Sequence, residues 1–437
     1  MYYEITEQLI EFIRKSPVSF QATEEMEQRF RKAGYQKLSE KEYWNLKAGG
    51  KYVVTRNHSA LIAFSIPEKN SMRFHIMASH SDSPAFKIKE NPEMQVEHAY
   101  TKLNVEGYGG MLMAPWVDRP LSVAGRVMVS GKNGPEERLV NIDRDLLMIP
   151  SLAIHMNREA NKGVAYNPQK DMLPLMGCGS EKADLMEILA EKLKIKKEDI
   201  LTHDLFLYNR MPGTIWGADR EFVSSPRLDD LQCAFTSMKG FLAAENEQNI
   251  NVYACFDNEE VGSGTKQGAA STFLYDVLWR MNKALGKNEE EFYRAVAGSF
   301  MLSCDNAHAV HPNYRQKTDA TNCVYMNDGI VIKSHAGQKY TSDAVSVAVF
   351  RMICEKAGVP LQYFANRSDE AGGSTLGNIA MTQVSMNTVD IGLPQLAMHS
   401  AYETAGVKDT EYMVKAVETF YASHIQADSD GNYQINQ

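Results

Sequence analysis

Histidines and carboxylates recur along this chain in short clusters. They are His80 and Asp82 in His80-Ser81-Asp82-Ser83-Pro84, Asp229 with Asp230, Glu259 with Glu260, Asp305 with His308 and His311, and His399. Imidazole nitrogen and carboxylate oxygen are donors that borderline-soft cations such as zinc accept together. Two histidines and three carboxylates from separate elements suit a pair of such cations. Each takes one imidazole and one terminal carboxylate, and a shared carboxylate bridges them. Paired cations lower the pKa of a bound water toward neutrality and polarise a carbonyl. A carboxylate that is not a ligand must then accept the water's proton, and Glu259-Glu260 can supply one ligand and one base. Asp82, two residues from His80, is placed to orient that imidazole.

Each cluster also has a plainer explanation. An isolated Glu-Glu pair is ordinarily solvated surface, and Asp-Asp at a helix start is ordinarily a cap and dipole partner. His308 and His311 before Pro312 suit a polar turn. What favours a metal site is joint placement, because ligands of an α/β sheet bind beyond the carboxyl ends of its strands. Arg73 to Ser79 reads as a buried strand running into His80, and Asn251 to Phe256 runs into Asp257-Asn258-Glu259-Glu260. Phe300 to Cys304 runs into Asp305, and a strand at Met386 to Ile391 precedes Met398-His399.

The remaining pattern supplies helices between these strands. Ile5, Leu9, Phe12 and Ile13 recur at helical spacing up to Ser16-Pro17. Further helices are expected over Asp229 to Ala244, Thr265 to Leu285, Tyr340 to Ala357 and Glu411 to His424, with another strand at Leu361 to Ala365. Residues 91–222 differ in texture: short strands and loops, a hairpin around Gly131-Lys132-Asn133-Gly134, and one helix near Glu181 to Leu193. The expected architecture is an α/β catalytic domain with a mixed sheet, built from residues 1–90 and 223–437 and interrupted by a β-rich insert at 91–222.

Composition narrows the setting. The chain has 437 residues, 44% hydrophobic and 23% charged, enough for a sizeable core in two domains. Its net charge of -9 argues against nucleic acid as a partner. Six cysteines without paired spacing read as reduced thiols, which suits a cytoplasmic protein. The first residues lack the pattern of a secretory signal, and no apolar stretch approaches a membrane span.

Five motifs run in order: His80-Ser81-Asp82-Ser83-Pro84, Ser225-Pro226-Arg227-Leu228-Asp229, Asp257 to Ser263, Asp305 to Tyr314, and Asp390 to Ser400. Together they resemble the aspartyl aminopeptidase family of metallopeptidases over nearly the whole chain. The resemblance implies two zincs per subunit, although cobalt or manganese also suit such donors. His80, Asp229 and Asp305 would hold one, and Asp229, Glu260 and His399 the other. Glu259 would be the general base and Asp82 the residue behind the first imidazole. The inserted domain would mediate dimerisation, and dimers would assemble into a dodecamer. His155, in Ile149-Pro150-Ser151-Leu152-Ala153-Ile154-His155, would reach a neighbouring subunit's site and stabilise the tetrahedral intermediate; the alternative is an ordinary loop histidine. Lys333, Tyr340 and His308 would lie near the first side chain of the substrate, where an ammonium can pair with an acidic residue.

The chain departs from the family pattern at Asp230, where Asn is usual, and in segments 111–115, 334–337 and 369–375. An extra carboxylate beside the metals raises local negative charge. The function expected is therefore hydrolysis of the N-terminal residue, Asp or Glu, from peptides with a free N-terminus. The competing readings are a carboxypeptidase or amide deacylase on the same scaffold, and a metal-bound scaffold without turnover.

Overall fold

Phe74–His80, Ile250–Phe256 and Phe300–Cys304 are buried along their whole length, as strands covered on both faces must be. In the computed structural model, which describes residues 2–69, 72–179, 183–246 and 248–436, they lie side by side. The sheet has nine strands, in the order Gln36–Leu38, Lys51–Arg56, Ala60–Ser65, Ile250–Phe256, Phe74–His80, Phe300–Cys304, Asn387–Gly392, Ile330–Lys333 and Leu361–Phe364. The four strands from Ile250–Phe256 to Asn387–Gly392 are mutually parallel, while Ala60–Ser65 and Ile330–Lys333, which flank those four, run antiparallel to them. The sheet is thus mixed, as expected. Its parallel centre brings His80, Asp257 and Asp305 to one edge.

Alternate side chains of these strands enter different cores. Val53, Leu61, Ala63 and Met77 pack with the helices Tyr2–Lys15, Ser19–Lys32, Leu228–Ala243, Ala344–Ala357 and Val407–Ala422. Val54, Ile62, Phe64, Ile76 and Ala78 pack with Phe273–Ala284, Glu289–Ala297 and Leu376–Gln383. This is the helix-on-both-faces arrangement of an α/β domain.

Two compact units are present. The first comprises Met1–Asp82, Gly213–Met398 and Glu403–Gln437, and the second Ser83–Pro212 with His399–Tyr402. The second unit holds a six-stranded antiparallel sheet ordered Gly134–Asn141, Leu121–Gly131, Ile200–Asn209, Ala85–Val96, Tyr100–Tyr108 and Leu175–Cys178. Gly125 lies opposite Leu205 with φ 150°, and a Cβ there would collide with the Asp204 carbonyl. The second unit's bounds differ from the expected 91–222. Strand Ala85–Val96 crosses residue 90, whereas Thr214–Trp216 and Phe222–Ser225 pair in a five-stranded sheet of the first unit.

Three helices are shorter than periodicity alone indicates. The helix expected from Tyr340 starts at Ala344, because Asp343 accepts the Ser346 N–H at 2.8 Å and Ser346 Oγ accepts the Asp343 N–H at 3.0 Å. The helix expected from Thr265 starts at Phe273, because Thr265 Oγ1 and Gln267 Nε2 both donate to Asn258 Oδ1, at 2.8 and 2.7 Å. In the second unit the helix spans Leu185–Leu193, capped by Asp184; Glu181 of the expected span lies outside the described residues. The final helix is displaced instead, covering Val407–Ala422, so that His424 opens a hairpin strand.

Candidate metal centre

His80 closes its strand with a fully buried imidazole. Its Nδ1 lies 3.3 Å from Asp82 Oδ1 and 3.1 Å from the Asp82 carbonyl, which favours the proton on that nitrogen. Nε2 then turns its lone pair toward three carboxylates: Asp229 Oδ1 at 3.6 Å, Asp305 Oδ1 at 3.8 Å and Asp230 Oδ2 at 3.9 Å. A lone pair facing three anions is repulsive unless a cation or a proton stands between them. Ligand atoms of these four residues all lie within 4.8 Å of one another, and His80, Glu259 and Glu260 form an overlapping group.

Local structure explains each position. Asp229 and Asp230 open the helix Leu228–Ala243 with non-helical dihedrals, after Arg227 in the left-handed region. This kink turns both carboxylates toward His80 instead of along a regular helix. The Asp229 N–H donates to buried Glu403 Oε2 at 3.0 Å, and Asp230 Oδ2 accepts the His80 N–H at 3.1 Å. Asp82 does double duty: its two oxygens accept the N–H groups of Glu259 at 3.1 Å and Glu260 at 3.2 Å. One carboxylate thereby orients the imidazole and fixes the turn that carries both glutamates.

Asp305 leaves its strand with its N–H donating to Ile391 O at 3.1 Å. The next residue, Asn306, is held by a buried amide network. It donates to Gln232 Oε1 at 2.9 Å and Gln395 Oε1 at 3.0 Å, and accepts from Cys233 Sγ at 3.1 Å. Gly392 matters here, since a Cβ would collide with the Asp305 carbonyl.

The electrostatics report crowding. Burial pushes the Glu259 carboxyl up to about 8; Asp305, Asp82 and Asp229 add to the rise and His80 opposes it. Burial likewise raises Glu260 and Asp230 well above the carboxylate range, and Asp257 to about 7 with help from Asp82. Burial alone would lower His80, but the charges of Asp230, Asp305, Asp82 and Glu259 hold it well above an ordinary imidazole. Asp230 Oδ1 is buried without a hydrogen-bond partner. An imidazole and several carboxylates crowded to this degree, one of them with an unsatisfied oxygen, are what a divalent cation fits.

The other expected site residues are distributed as follows. Lys333 ends the strand Ile330–Lys333 and is 2% exposed; its Nζ donates to Asp305 O at 2.8 Å and Asn306 O at 3.3 Å, and lies 3.6 Å from Asp305 Oδ2. The Lys333 ammonium is thus held beside the Asp305–Asn306 segment. Tyr340 is buried, its ring 5.5 Å from Lys333 Nζ, and packs near Phe364, which also neighbours the exposed His308 ring at 6.2 Å.

His399 falls in the short segment grouped with the second unit. Its Nδ1 contacts Gly110 O at 2.8 Å, which leaves Nε2 as the nitrogen able to ligate. His155 is exposed in the second unit, on a segment whose start is pinned by Ser151 to Asp118 at 2.9 and 2.6 Å. Sequence reasoning missed Glu403, which holds Asp229, and the Asn306 network; the one available signal for Glu403 was an acidic residue four positions beyond His399.

A family model described as aminopeptidase I zinc metalloprotease (M18) matches residues 12–421. The "Probable M18 family aminopeptidase 2" of Clostridium acetobutylicum is 47% identical over 426 residues, covering 96% of this chain and 98% of the relative. Its namesake in Pseudomonas aeruginosa strain UCBPP-PA14 is 40% identical over 431 residues, covering 97% and 99%. Among solved structures, a chain of the Ape4 and Nbr1 complex matches with a TM-score of 0.93 at 35% identity, covering 96% of this chain and 86% of that one. The mApe1 dodecamer of S. cerevisiae matches at 0.83 and 25% identity, covering 96% and 97%. The chain therefore belongs to the M18 family of aminopeptidases, zinc metalloproteases that hydrolyse peptides.

Proposed function

We propose that the enzyme removes an N-terminal Asp or Glu from peptides using two zincs per subunit. His80, Asp229 and Asp305 would hold one zinc, and Asp229, Glu260 and His399 the other. The observation that carries this reading is the His80 imidazole turned on Asp229, Asp230 and Asp305, with Glu259 and Glu260 beside it. Zinc held there supplies the positive charge that polarises the scissile carbonyl and acidifies water. Glu259, not needed as a ligand, accepts the proton of the attacking water and returns it to the leaving amine. Asp82 keeps the imidazole and the Glu259–Glu260 turn in register throughout.

Tyr340 and His308 offer O–H and N–H donors where the first side chain would lie, which favours a carboxylate. His155 is assigned to a neighbouring subunit's site. Its segment exposes Leu152, Ile154 and Met156, the last 77% accessible, an apolar run that suits burial on self-association. Assembly through dimers into a dodecamer is the form proposed, by likeness to the mApe1 dodecamer. All six cysteines are free, which accords with the reducing cytoplasm, and no helix among the described residues is long and apolar enough to cross a membrane.

The test is a panel of Asp-, Glu-, Ala-, Leu- and Lys-peptides with free or blocked N-termini, assayed with the wild type and Glu259→Gln. Chelator-sensitive release of Asp and Glu from free N-termini is expected. Glu259→Gln should retain zinc and lose at least about 100-fold in kcat. Near-wild-type turnover by that variant removes Glu259 as the base, and cleavage of blocked peptides removes the aminopeptidase reading.

A further inference from the structure

Asp390 is fully buried in the strand Asn387–Gly392, and its carboxylate is shared between two other segments. Oδ2 accepts both the N–H and the O–H of Thr341, at 2.5 and 3.0 Å, and Oδ1 accepts the Thr375 O–H at 2.9 Å. Thr341 follows Tyr340, and Thr375 leads into the helix Leu376–Gln383. Thr375 stands at the N-cap of that helix without bonding the helix's own N–H groups; its hydroxyl goes to Asp390 instead. Gly377 makes room for this approach, since a Cβ there would lie 2.9 Å from Asp390 Oδ1 and 2.5 Å from Ser303 Oγ.

A second set of bonds ties the same two segments together. Lys339 Nζ donates to the consecutive carbonyls of Ala371 and Gly372, at 2.7 and 3.0 Å. Neither 334–341 nor 369–375 is helix or strand, so these bonds stand in for the regular ladder that would otherwise fix them. Both include a stretch in which the chain departs from the family pattern. Tyr340, carried by the first, packs its buried ring with Ala307, Val331 and Phe364, and the His335 ring stands edge-on to it at 6.0 Å.

We propose that Asp390 is a positioning residue for specificity: by clamping segments 334–341 and 369–375 together, it fixes the wall on which Tyr340 meets the substrate's first side chain. The inference rests on the reading that places Tyr340 there. Asp390 has no exposed surface of its own and acts through Thr341 and Thr375. Its charge has a second effect: burial disfavours the ammonium of Lys333, and Asp305 and Asp390 restore it.

Substitutions separate the bonds from the charge. Asp390→Ala removes both arms of the clamp. Asp390→Asn keeps them without the charge, its oxygen accepting from Thr341 and its amide donating to Thr375 Oγ1. Hydrogen exchange of the zinc-loaded protein, read by mass spectrometry, follows the two segments, and kcat and KM are measured with Asp-, Glu- and Leu-peptides. The clamp predicts that Asp390→Ala speeds exchange in both segments together, raises KM and lowers the Asp-to-Leu ratio of kcat/KM at least about tenfold. Zinc affinity should escape the loss of about 10–100-fold that follows when a ligand's support is removed. Asp390→Asn should restore both slow exchange and selectivity. An Asp-to-Leu ratio unchanged in Asp390→Ala overturns the proposal, whatever the zinc affinity. Asp390→Asn as damaging as Asp390→Ala also overturns it, by assigning the effect to the charge beside Lys333. If Asp390→Ala does not fold, Thr375→Val cuts one arm at similar volume; it should speed exchange across 369–375 and lower the ratio, and no change in either overturns the clamp. A wild type without preference among the peptides overturns the reading of Tyr340 instead, and exchange then decides by itself whether Asp390 joins the segments.

Discussion

Loading zinc into chelator-stripped protein should release protons, and the crowded charges of the centre are the reason. Without metal, His80 is held well above an ordinary imidazole by four carboxylates, and burial raises Glu260 well above the carboxylate range. Both therefore favour their protonated forms in the empty centre. A ligand imidazole must be neutral and a ligand carboxylate ionised, so metal uptake displaces protons. By linkage, each proton displaced raises zinc affinity about tenfold per pH unit, roughly 1.4 kcal/mol. The sign follows from proton counts: the empty centre binds more protons than the loaded one, so raising the pH favours loading. Calorimetric titration at pH 6 and 7, in two buffers of different ionisation enthalpy, gives both the proton number and the slope. Release of no protons, or affinity independent of pH, would refute the claim that the empty centre neutralises its crowded charges by protonation.

Asp82→Asn keeps the shape of the side chain but replaces a charged acceptor by one oxygen and an amide that cannot accept from the Glu259 and Glu260 N–H groups together. Zinc affinity should drop about 10–100-fold, read by chelator competition, and unchanged affinity would remove Asp82 as the organiser of the site. Far from the centre, His75 is fully buried against Phe420, and burial, aided by His424 and Arg73, pushes its pKa down to about 3. The unfolded chain protonates this group near 6.5, so the folded state loses stability as pH falls from there toward 3, about 2 kcal/mol by pH 5. His75→Phe should therefore lose less melting temperature than wild type between pH 7.5 and 5; equal losses would count against the buried neutral imidazole.

The cluster of candidate ligands was legible because its members sit at the ends of long apolar runs. His80 follows Phe74–Ser79 and Asp305 follows Phe300–Cys304, and buried strands of this kind are hard to mistake. What was not legible depends on contacts between distant segments. Asp230 was visible only as an extra charge; that it accepts the His80 N–H follows from the kink at the helix start. Glu403 has no local pattern, since its role is a bond to an N–H 174 residues away in sequence. Lys333 shows how a motif can supply a residue without its partners, because the Asp305 and Asn306 carbonyls that accept from it belong to a different strand end. Helix starts erred where side chains compete with backbone periodicity, as at Asp343–Ser346 and at Asn258.

The strand order of the large sheet has a consequence for biosynthesis. Ala60–Ser65 and Phe74–His80 emerge from the ribosome in succession, yet in the sheet they are separated by Ile250–Phe256. They cannot close on each other as a hairpin and must wait with a strand-wide slot between them. Translation at about 5–20 residues per second makes that wait on the order of 10–30 s. During it the Ser83–Pro212 portion of the second unit comes out almost complete, while the first unit still presents open, apolar strand edges of the kind that aggregate. Nascent chains are thus at their stickiest until Phe256 has cleared the ribosome, and truncations ending before that residue leave the slot permanently unfilled.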